Sequence, residues 1–242
     1  MYHMVTRPRR LRAAPALALC GFLAAAPLAA LEPGDPGYDP LEDDRLWDEP
    51  VSPDTTQTTS PELRFLDEEP ERTPHVHHNQ ITLTASSLED GWAQLRQCHS
   101  EIAPIRRMVI VYNEERIDAL RVESTANIDA ARAEGDRVDL RGVGEGAEVC
   151  VTARMRIVEP EGDGLYRLEN GPFMRRFLDG YFPMRAIVAV SWGDLDLAVV
   201  ETEPAAQPGF EVMESDNGVI LDALFEGELR TLIRLRGDGD DD

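Results

Sequence analysis

The chain contains no lysine, because all 24 of its basic residues are arginine, and these face 46 aspartates and glutamates. The formal net charge of −22 makes a surface that repels nucleic acid phosphates and anionic lipid headgroups, so neither is an expected partner. A GC-rich genome and adaptation to high salt both account for this composition. The charge therefore concerns solubility and partner choice, not mechanism.

Motifs of common enzymes are also missing. The sequence has no Gly-x-Ser-x-Gly nucleophile elbow. The glycines of Gly142–Gly146 precede a predicted strand, whereas a dinucleotide-binding loop needs a helix there. Acidic pairs such as Asp194 with Asp196 are too numerous for one of them to indicate a glycosidase dyad. The sequence favours a non-catalytic function, with a carboxylate-dependent hydrolase as an alternative.

Cysteine is scarce, and its three copies are Cys20, Cys98 and Cys150. Cys20 lies in the N-terminal leader, which leaves two cysteines in the remaining chain. Two cysteines in an exported protein typically form a disulfide, and redox pairs usually lie only two residues apart. We therefore predict a structural Cys98–Cys150 disulfide.

The N-terminus is typical of a secretory signal peptide over residues 1–30. Arginines between Arg7 and Arg12 precede the apolar, alanine-rich run Ala13–Ala30, which ends in small residues. A permanent anchor would need a more strongly apolar run. Lipid attachment at Cys20 is disfavoured because, in Leu17-Ala18-Leu19-Cys20, the bulky Leu19 stands directly before the cysteine, where a small residue is wanted. We expect a periplasmic or secreted protein without a stable membrane span after cleavage.

Composition divides the rest of the chain. Residues 31–74 are acidic and proline-rich with few large apolar side chains, which predicts a disordered tether. Residues 237–242 form an acidic tail. The folded part between them breaks at the turn-forming run Glu159–Gly164. We expect either two β-rich subdomains, 75–158 with the disulfide and 159–236, or one continuous sheet assembly.

The folded part has mostly the period-two alternation of strands. Short segments of this kind recur between Gly, Pro and Asp turns: 80–84, 108–112, 116–123, 127–132, 137–141, 147–158, 165–168, 185–192, 195–201, 210–213, 219–224 and 229–235. The spacing predicts a mainly β, antiparallel sandwich-like fold. Helical spacing favours a helix over 86–102, with a strand over 92–99 as the alternative, and a second helix over 172–179.

Four histidines form a candidate metal site. Neutral imidazoles bind copper and zinc. His75 and His77 share one face of an extended chain while His78 points away, so a third ligand such as His99 is needed. A solvated segment is the alternative. Copper or zinc is the one cofactor that the sequence suggests.

Aromatic residues and arginines cluster in a second candidate site, for a partner. An arginine cluster on so acidic a chain can hold a carboxylate or phosphate, while the rings supply contact area. Alternatively, the rings fill the core and the arginines pair with acidic residues. The candidate residues are Phe173, Arg175, Arg176, Phe177, Tyr181 and Arg185.

Several blocks resemble uncharacterised exported proteins of GC-rich Gram-negative bacteria. These blocks are Gly91-Trp92, Gln97-Cys98-His99, Asn170–Met184 and Pro208-Gly-Phe210. The resemblance implies an envelope location and a shared fold, and it brings no assigned activity. We therefore expect an envelope accessory or binding module that recognises a protein or cell-wall partner, in an oligomeric state that the sequence does not indicate.

Overall fold

The computed structural model describes residues 62–177 and 180–237, and only the backbone of residues 176, 177, 180 and 181. All of these belong to one compact unit, Leu41–Asp242. The predicted signal peptide, residues 31–61 of the predicted tether and residues 238–242 of the predicted tail lie outside the described residues. No described helix is long and apolar enough to cross a membrane.

The described chain consists almost entirely of strands, with one short helix and one 3-10 turn. The elements in chain order are β1 (Arg64–Phe65), β2 (His75–Thr82), α1 (Ala85–Asp90), β3 (Trp92–Ile102), β4 (Ile105–Val111), the 3-10 turn Glu114–Arg116, β5 (Ile117–Glu134), β6 (Arg137–Arg156), β7 (Val158–Gly162), β8 (Leu165–Phe173), β9 (Arg176–Phe177), β10 (Gly180–Tyr181), β11 (Met184–Ser191), β12 (Leu197–Glu203), β13 (Phe210–Ser215), β14 (Gly218–Glu226) and β15 (Leu229–Gly237).

The strands form two main sheets and one short ribbon. The nine-stranded sheet has the order β1-β14-β11-β2-β3-β6-β4, with β13 also on β14 and β5 also on β6. The four-stranded sheet has the order β12-β15-β8-β7, and β9 pairs with β10. All pairs are antiparallel except β2 with β11. The predicted mainly β, sandwich-like fold is confirmed.

Alternating side chains build the core between the two sheets. Along β11, buried positions such as Val188 alternate with partly exposed ones, and β14 buries Leu221 in the same way. Leu168 and Ile233 of the four-stranded sheet belong to the same cluster, and each is fully buried. A second cluster, around Leu140, lies on β4, β5 and β6. Burial of these apolar faces is the main term that stabilises the fold.

The sheets do not follow the boundary predicted at residue 159. The nine-stranded sheet takes β11, β13 and β14 from beyond that point, and the larger core contains side chains from both halves of the sequence. Residues 62–74 of the predicted tether include β1, which pairs with β14. Strand pairing therefore joins the two predicted halves and begins before residue 75.

The helix favoured over 86–102 is wrong beyond its first turn. The structure ends α1 at Asp90, and Gly91 adopts φ +81°, the left-handed cap conformation that favours glycine. Trp92 then begins β3, as the alternative expected. The helix predicted over 172–179 is also wrong, because β8 continues to Phe173 and β9 follows, although residues 178 and 179 lie outside the described part.

The Cys98–Cys150 disulfide is confirmed. The two cysteines lie directly opposite each other on β3 and β6, with their Cα atoms 4.1 Å apart. The crosslink closes a separation of 52 residues in the sequence.

Candidate functional site

Strands β2 and β3 place three of the predicted histidines on one face of the nine-stranded sheet. His75, His77 and Asn79 alternate along β2, so their side chains point to the same side. On β3, His99 lies directly opposite His77, and Gln97 lies directly opposite Asn79. The period of two thus brings these five side chains together.

These side chains form a connected hydrogen-bond network. Nε2 of His75 lies 3.0 Å from Nδ1 of His99, and Nε2 of His99 lies 3.0 Å from Oε1 of Gln97. The Gln97 amide donates to Oδ1 of Asn79 over 2.8 Å, and Nε2 of His77 lies 2.9 Å from the same oxygen. Tyr112 donates its hydroxyl proton to Oε1 of Gln97 over 2.5 Å.

Burial keeps the three imidazoles neutral. Desolvation lowers the pKa of His75 to about 3 and that of His77 to about 4, and it lowers the pKa of His99 well below 6.5. A neutral ring carries one N–H, and an amide oxygen can only accept. His77 and His99 therefore donate through Nε2, which leaves Nδ1 of His99 to accept from Nε2 of His75.

A cavity of about 790 Å³ borders this network, and we call it the histidine cavity. Its opposite wall comes from β8 and the chain that follows it, with Asn170, Phe173 and Arg175 among the lining residues. Among the described residues, Glu169 is the single carboxylate in this lining, and it pairs with Arg167. The histidine cavity therefore combines neutral polar groups and apolar side chains with three arginines, Arg116, Arg175 and Arg230.

Asn170 is the unusual residue of this cavity. Its side chain is only 5% exposed, yet neither Oδ1 nor Nδ2 has a hydrogen-bond partner among the described residues. Thr231 lies opposite it on β15, and the Thr231 hydroxyl is buried without a partner in the same part of the structure. Buried polar groups are almost always hydrogen-bonded, so these atoms need an explanation. Asn170 was not among the residues predicted from the sequence, although a polar residue two positions after the inward-facing Leu168 was a usable signal.

A second, smaller depression adjoins the histidine cavity, and we call it the arginine groove. Its volume is about 400 Å³, and Arg72 and Arg175 are the charged residues in its lining. His75 and Arg175 line both the groove and the histidine cavity, so the two spaces are contiguous. Desolvation and the nearby Arg72 lower the pKa of Arg175 below the usual value of an arginine. The Arg175 guanidinium lies 5.7 Å from the ring centre of Phe182.

The residues of the predicted partner-binding block have different environments. Phe173 is buried, and its ring meets that of His77 edge-on at 4.9 Å. Arg185 donates two hydrogen bonds of 2.8 and 2.7 Å to the Asp222 carboxylate and one of 3.3 Å to Glu69. The side chains of Arg176, Phe177 and Tyr181 lie outside the described residues. The block has two arginines with described side chains, Arg175 and Arg185. Arg175 lines both the cavity and the groove, and it has no carboxylate partner among the described residues.

His78 is separated from the other histidines. It lies opposite Cys98 in the register, on the other face of β2, where Arg96 and Asp222 are the charged groups that act on it. His75, His77 and His99 do not form a complete metal site in this arrangement. Among the described residues, the one group of three such ligand atoms within 4.8 Å is Cys98, Glu148 and Cys150. Its sulfurs are joined in the disulfide, so they offer no thiolate.

Comparisons with known proteins add little to this geometry. No protein-family model and no curated protein matches the sequence. Among solved structures, the fold is similar to an M1 zinc metallopeptidase from Deinococcus radiodurans, with 11% identity and a TM-score of 0.37 over 74% of this chain and 43% of that one. A mutant of a Deinococcus radiodurans M1 zinc metallopeptidase bound to a Tyr-Ser-Ala substrate gives 10% identity and a TM-score of 0.39, over 67% and 42%. The chain thus spans less than half the length of these structures, and a likeness at this level assigns no function.

Proposed function

We propose that this chain is an exported, non-catalytic binding protein that holds its ligand in the histidine cavity. The observation that carries the proposal is the buried Asn170 amide, which lacks a partner for both its oxygen and its nitrogen among the described residues. An unsatisfied buried polar group costs about 1–3 kcal/mol of stability. A bound ligand that supplies one donor and one acceptor would remove that cost.

The amide of Asn170 also indicates the ligand's chemistry. In an extended peptide the N–H and C=O of one residue point to the same side, which matches the donor and acceptor of an asparagine side chain. Proteins and cell-wall glycopeptides both carry such groups. The apolar walls of the histidine cavity, including Phe173 and Met184, suit the carbon atoms between them.

Export is supported by the basic and apolar leader and by the Cys98–Cys150 disulfide, since disulfides persist in oxidising compartments. A binding function is favoured over hydrolysis because the described lining of the histidine cavity contains one carboxylate, Glu169. Hydrolysis by paired acids needs two carboxyl groups facing each other.

Replacing Asn170 with leucine tests the proposal. Leucine has a similar size and removes both unpaired polar atoms, so N170L should raise the free energy of unfolding by about 1–3 kcal/mol. The same change should weaken binding of the neutral peptide Ac-Ala-Ala-Phe-NH₂, measured by isothermal titration calorimetry, by about tenfold. The control is N217L, at an exposed turn between β13 and β14. Equal affinities of wild type and N170L, or no binding by the wild type at millimolar peptide, would reject the proposal.

Copper or zinc binding is the second candidate, because His77 and His99 each donate one ring N–H to an oxygen, as metal-binding histidines usually do. The Nε2–H groups of His77 and His99 point at amide oxygens of Asn79 and Gln97, which fixes both tautomers with Nδ1 bare. Tetrahedral zinc needs nitrogens about 3.3 Å apart, and Nε2 of His75 lies 3.0 Å from Nδ1 of His99. To bind the ion, His75 would have to carry its proton on Nδ1 and give up its hydrogen bond to His99. The His77 ring would have to turn to supply a third nitrogen.

Calorimetric titration with zinc or copper(II) ions distinguishes this candidate. Stoichiometric binding should disappear in H75N and H99N and persist in H78N, since His78 lies on the other face of β2. Equal loss in all three variants would indicate an unspecific effect and would reject the His75–His99 site.

A further inference from the structure

The arginine groove combines an apolar floor with positive charge. Its apolar lining comes from three parts of the chain: Pro70, Pro74, Ile105, Met108, Phe182 and Pro183. Ile105 is 36% exposed and Phe182 is 42% exposed, so the floor is open to a partner. Arg72 and Arg175 are the two charged side chains of this lining.

The charge of the groove is opposite to that of the chain. The protein carries a net charge of −22, yet no aspartate or glutamate from the described part of the chain lines the groove. Among the described residues, neither Arg72 nor Arg175 forms an ion pair, whereas Arg185 nearby in sequence is held by Asp222 and Glu69. An anion is therefore the complementary group, and guanidinium forks bind carboxylates with paired hydrogen bonds.

The contact between the two spaces narrows the choice of anion. A ligand whose carboxylate lies at Arg175 can continue past His75 into the histidine cavity, because both residues line both spaces. There it meets the unpaired Asn170 amide. A peptide has a terminal carboxylate, an apolar last side chain and amides further back, while a fatty acid has no amide.

We propose that the arginine groove binds the C-terminal carboxylate of a peptide with an apolar last residue, and that the preceding amides enter the histidine cavity. This inference rests on the proposed function, because it assigns the ligand of the same site. Arg72 and Arg175 hold the carboxylate, Phe182 and Ile105 contact the last side chain, and Asn170 bonds a backbone amide.

A matched pair of probes tests the carboxylate directly. Ac-Ala-Ala-Phe with a free C-terminus and the same peptide as its C-terminal amide differ only in the proposed anchor. By calorimetry at low salt, the wild type should bind the acid at least about tenfold more tightly than the amide. R72Q and R175Q should each reduce that ratio to below about threefold. The control R132Q, on the exposed face of β5, makes the same charge change and should keep the ratio.

The outcomes separate this inference from the proposed function. A ratio near one in the wild type, or a ratio unchanged in both R72Q and R175Q, overturns the carboxylate anchor. N170L should weaken both probes equally and keep the ratio, so a failure there counts against the amide site alone. Binding of laurate by the wild type without binding of either peptide would identify a fatty-acid site and overturn the inference. Arg72 lies in an exposed segment outside the strands, so R72Q is expected to fold.

Discussion

Acid should destabilise this protein steeply, because buried neutral histidines must take up protons when it unfolds. In the unfolded chain a histidine titrates near pH 6.5, whereas burial lowers the pKa of His75 to about 3. The pKa of His99 is lowered well below 6.5 for the same reason. Between these values the unfolded state binds more protons, so stability is full above about pH 6.5 and falls as the pH decreases.

The size of the effect follows from the shift for His75. One pH unit corresponds to about 1.4 kcal/mol for each proton taken up, so His75 should lose about 2 kcal/mol of its contribution between pH 7 and pH 5. His77, whose pKa is lowered to about 4, should lose nearly as much, and His99 acts in the same direction. The other charged groups that act on His75 and His99 are His77 and Arg175, so no carboxylate among these causes offsets the burial. His75 and His77 together account for about 4 kcal/mol, which is a large fraction of a typical domain's stability.

Urea unfolding at pH 7 and pH 5, followed by tryptophan fluorescence, measures this loss. The double variant H75N/H99N should show a decrease between the two pH values that is smaller by at least about 2 kcal/mol than in the wild type, because the His75 contribution alone has that size. H78N is the control, because His78 is partly exposed on the other face. A wild-type unfolding free energy that does not change between pH 7 and pH 5, or an equal decrease in H75N/H99N, would refute the reasoning.

Three further predictions concern the fold. Replacing Cys98 and Cys150 with serine should lower the unfolding free energy by about 2–4 kcal/mol, because the unfolded chain without the crosslink has more conformational entropy. Dithiothreitol should have no further effect on that variant in urea unfolding. L235A, at a fully buried position, should cost about 2–5 kcal/mol, whereas V111A, at a side chain 68% exposed, should cost less than about 0.5 kcal/mol in the same assay. G91A should lower the thermal midpoint, because the backbone there has φ +81° and a Cβ atom would lie 2.8 Å from a carbonyl oxygen.

Alternation along the chain was enough to predict the strands, because each strand buries one face. It was not enough to predict their lengths. Segments 137–141 and 147–158 were expected as separate strands, and in the structure they are one strand, β6, that continues through Gly142–Gly146. Register shifts in its pairing with β5 absorb the irregular residues. From the sequence alone, a run of glycines inside a strand therefore looks like a turn between two strands. The pairing with a neighbouring strand decides between the two.

The histidine site was predictable in part. The spacing of His75 and His77 placed them on one face, and His99 was a candidate ligand because of its type alone. What the sequence could not supply is the register that sets His99 opposite His77 and Gln97 opposite Asn79. Without that register, the amide partners that fix the tautomers could not be recognised. Asn170 needed the second sheet as well, because its missing partners are a property of the packed cavity.

Two arginines of the same sequence block show why charge alone did not locate the site. Arg185 lies opposite Leu224 on β14, and Asp222, two residues along that strand, shares its face and accepts its hydrogen bonds. Arg175 lies between β8 and β9, where no facing strand among the described residues brings a carboxylate to it. Other strand arginines, such as Arg107, Arg154 and Arg234, likewise pair with a carboxylate that a neighbouring strand presents. The arginine left without one is therefore the more informative residue, and only strand pairing distinguishes it from its neighbour.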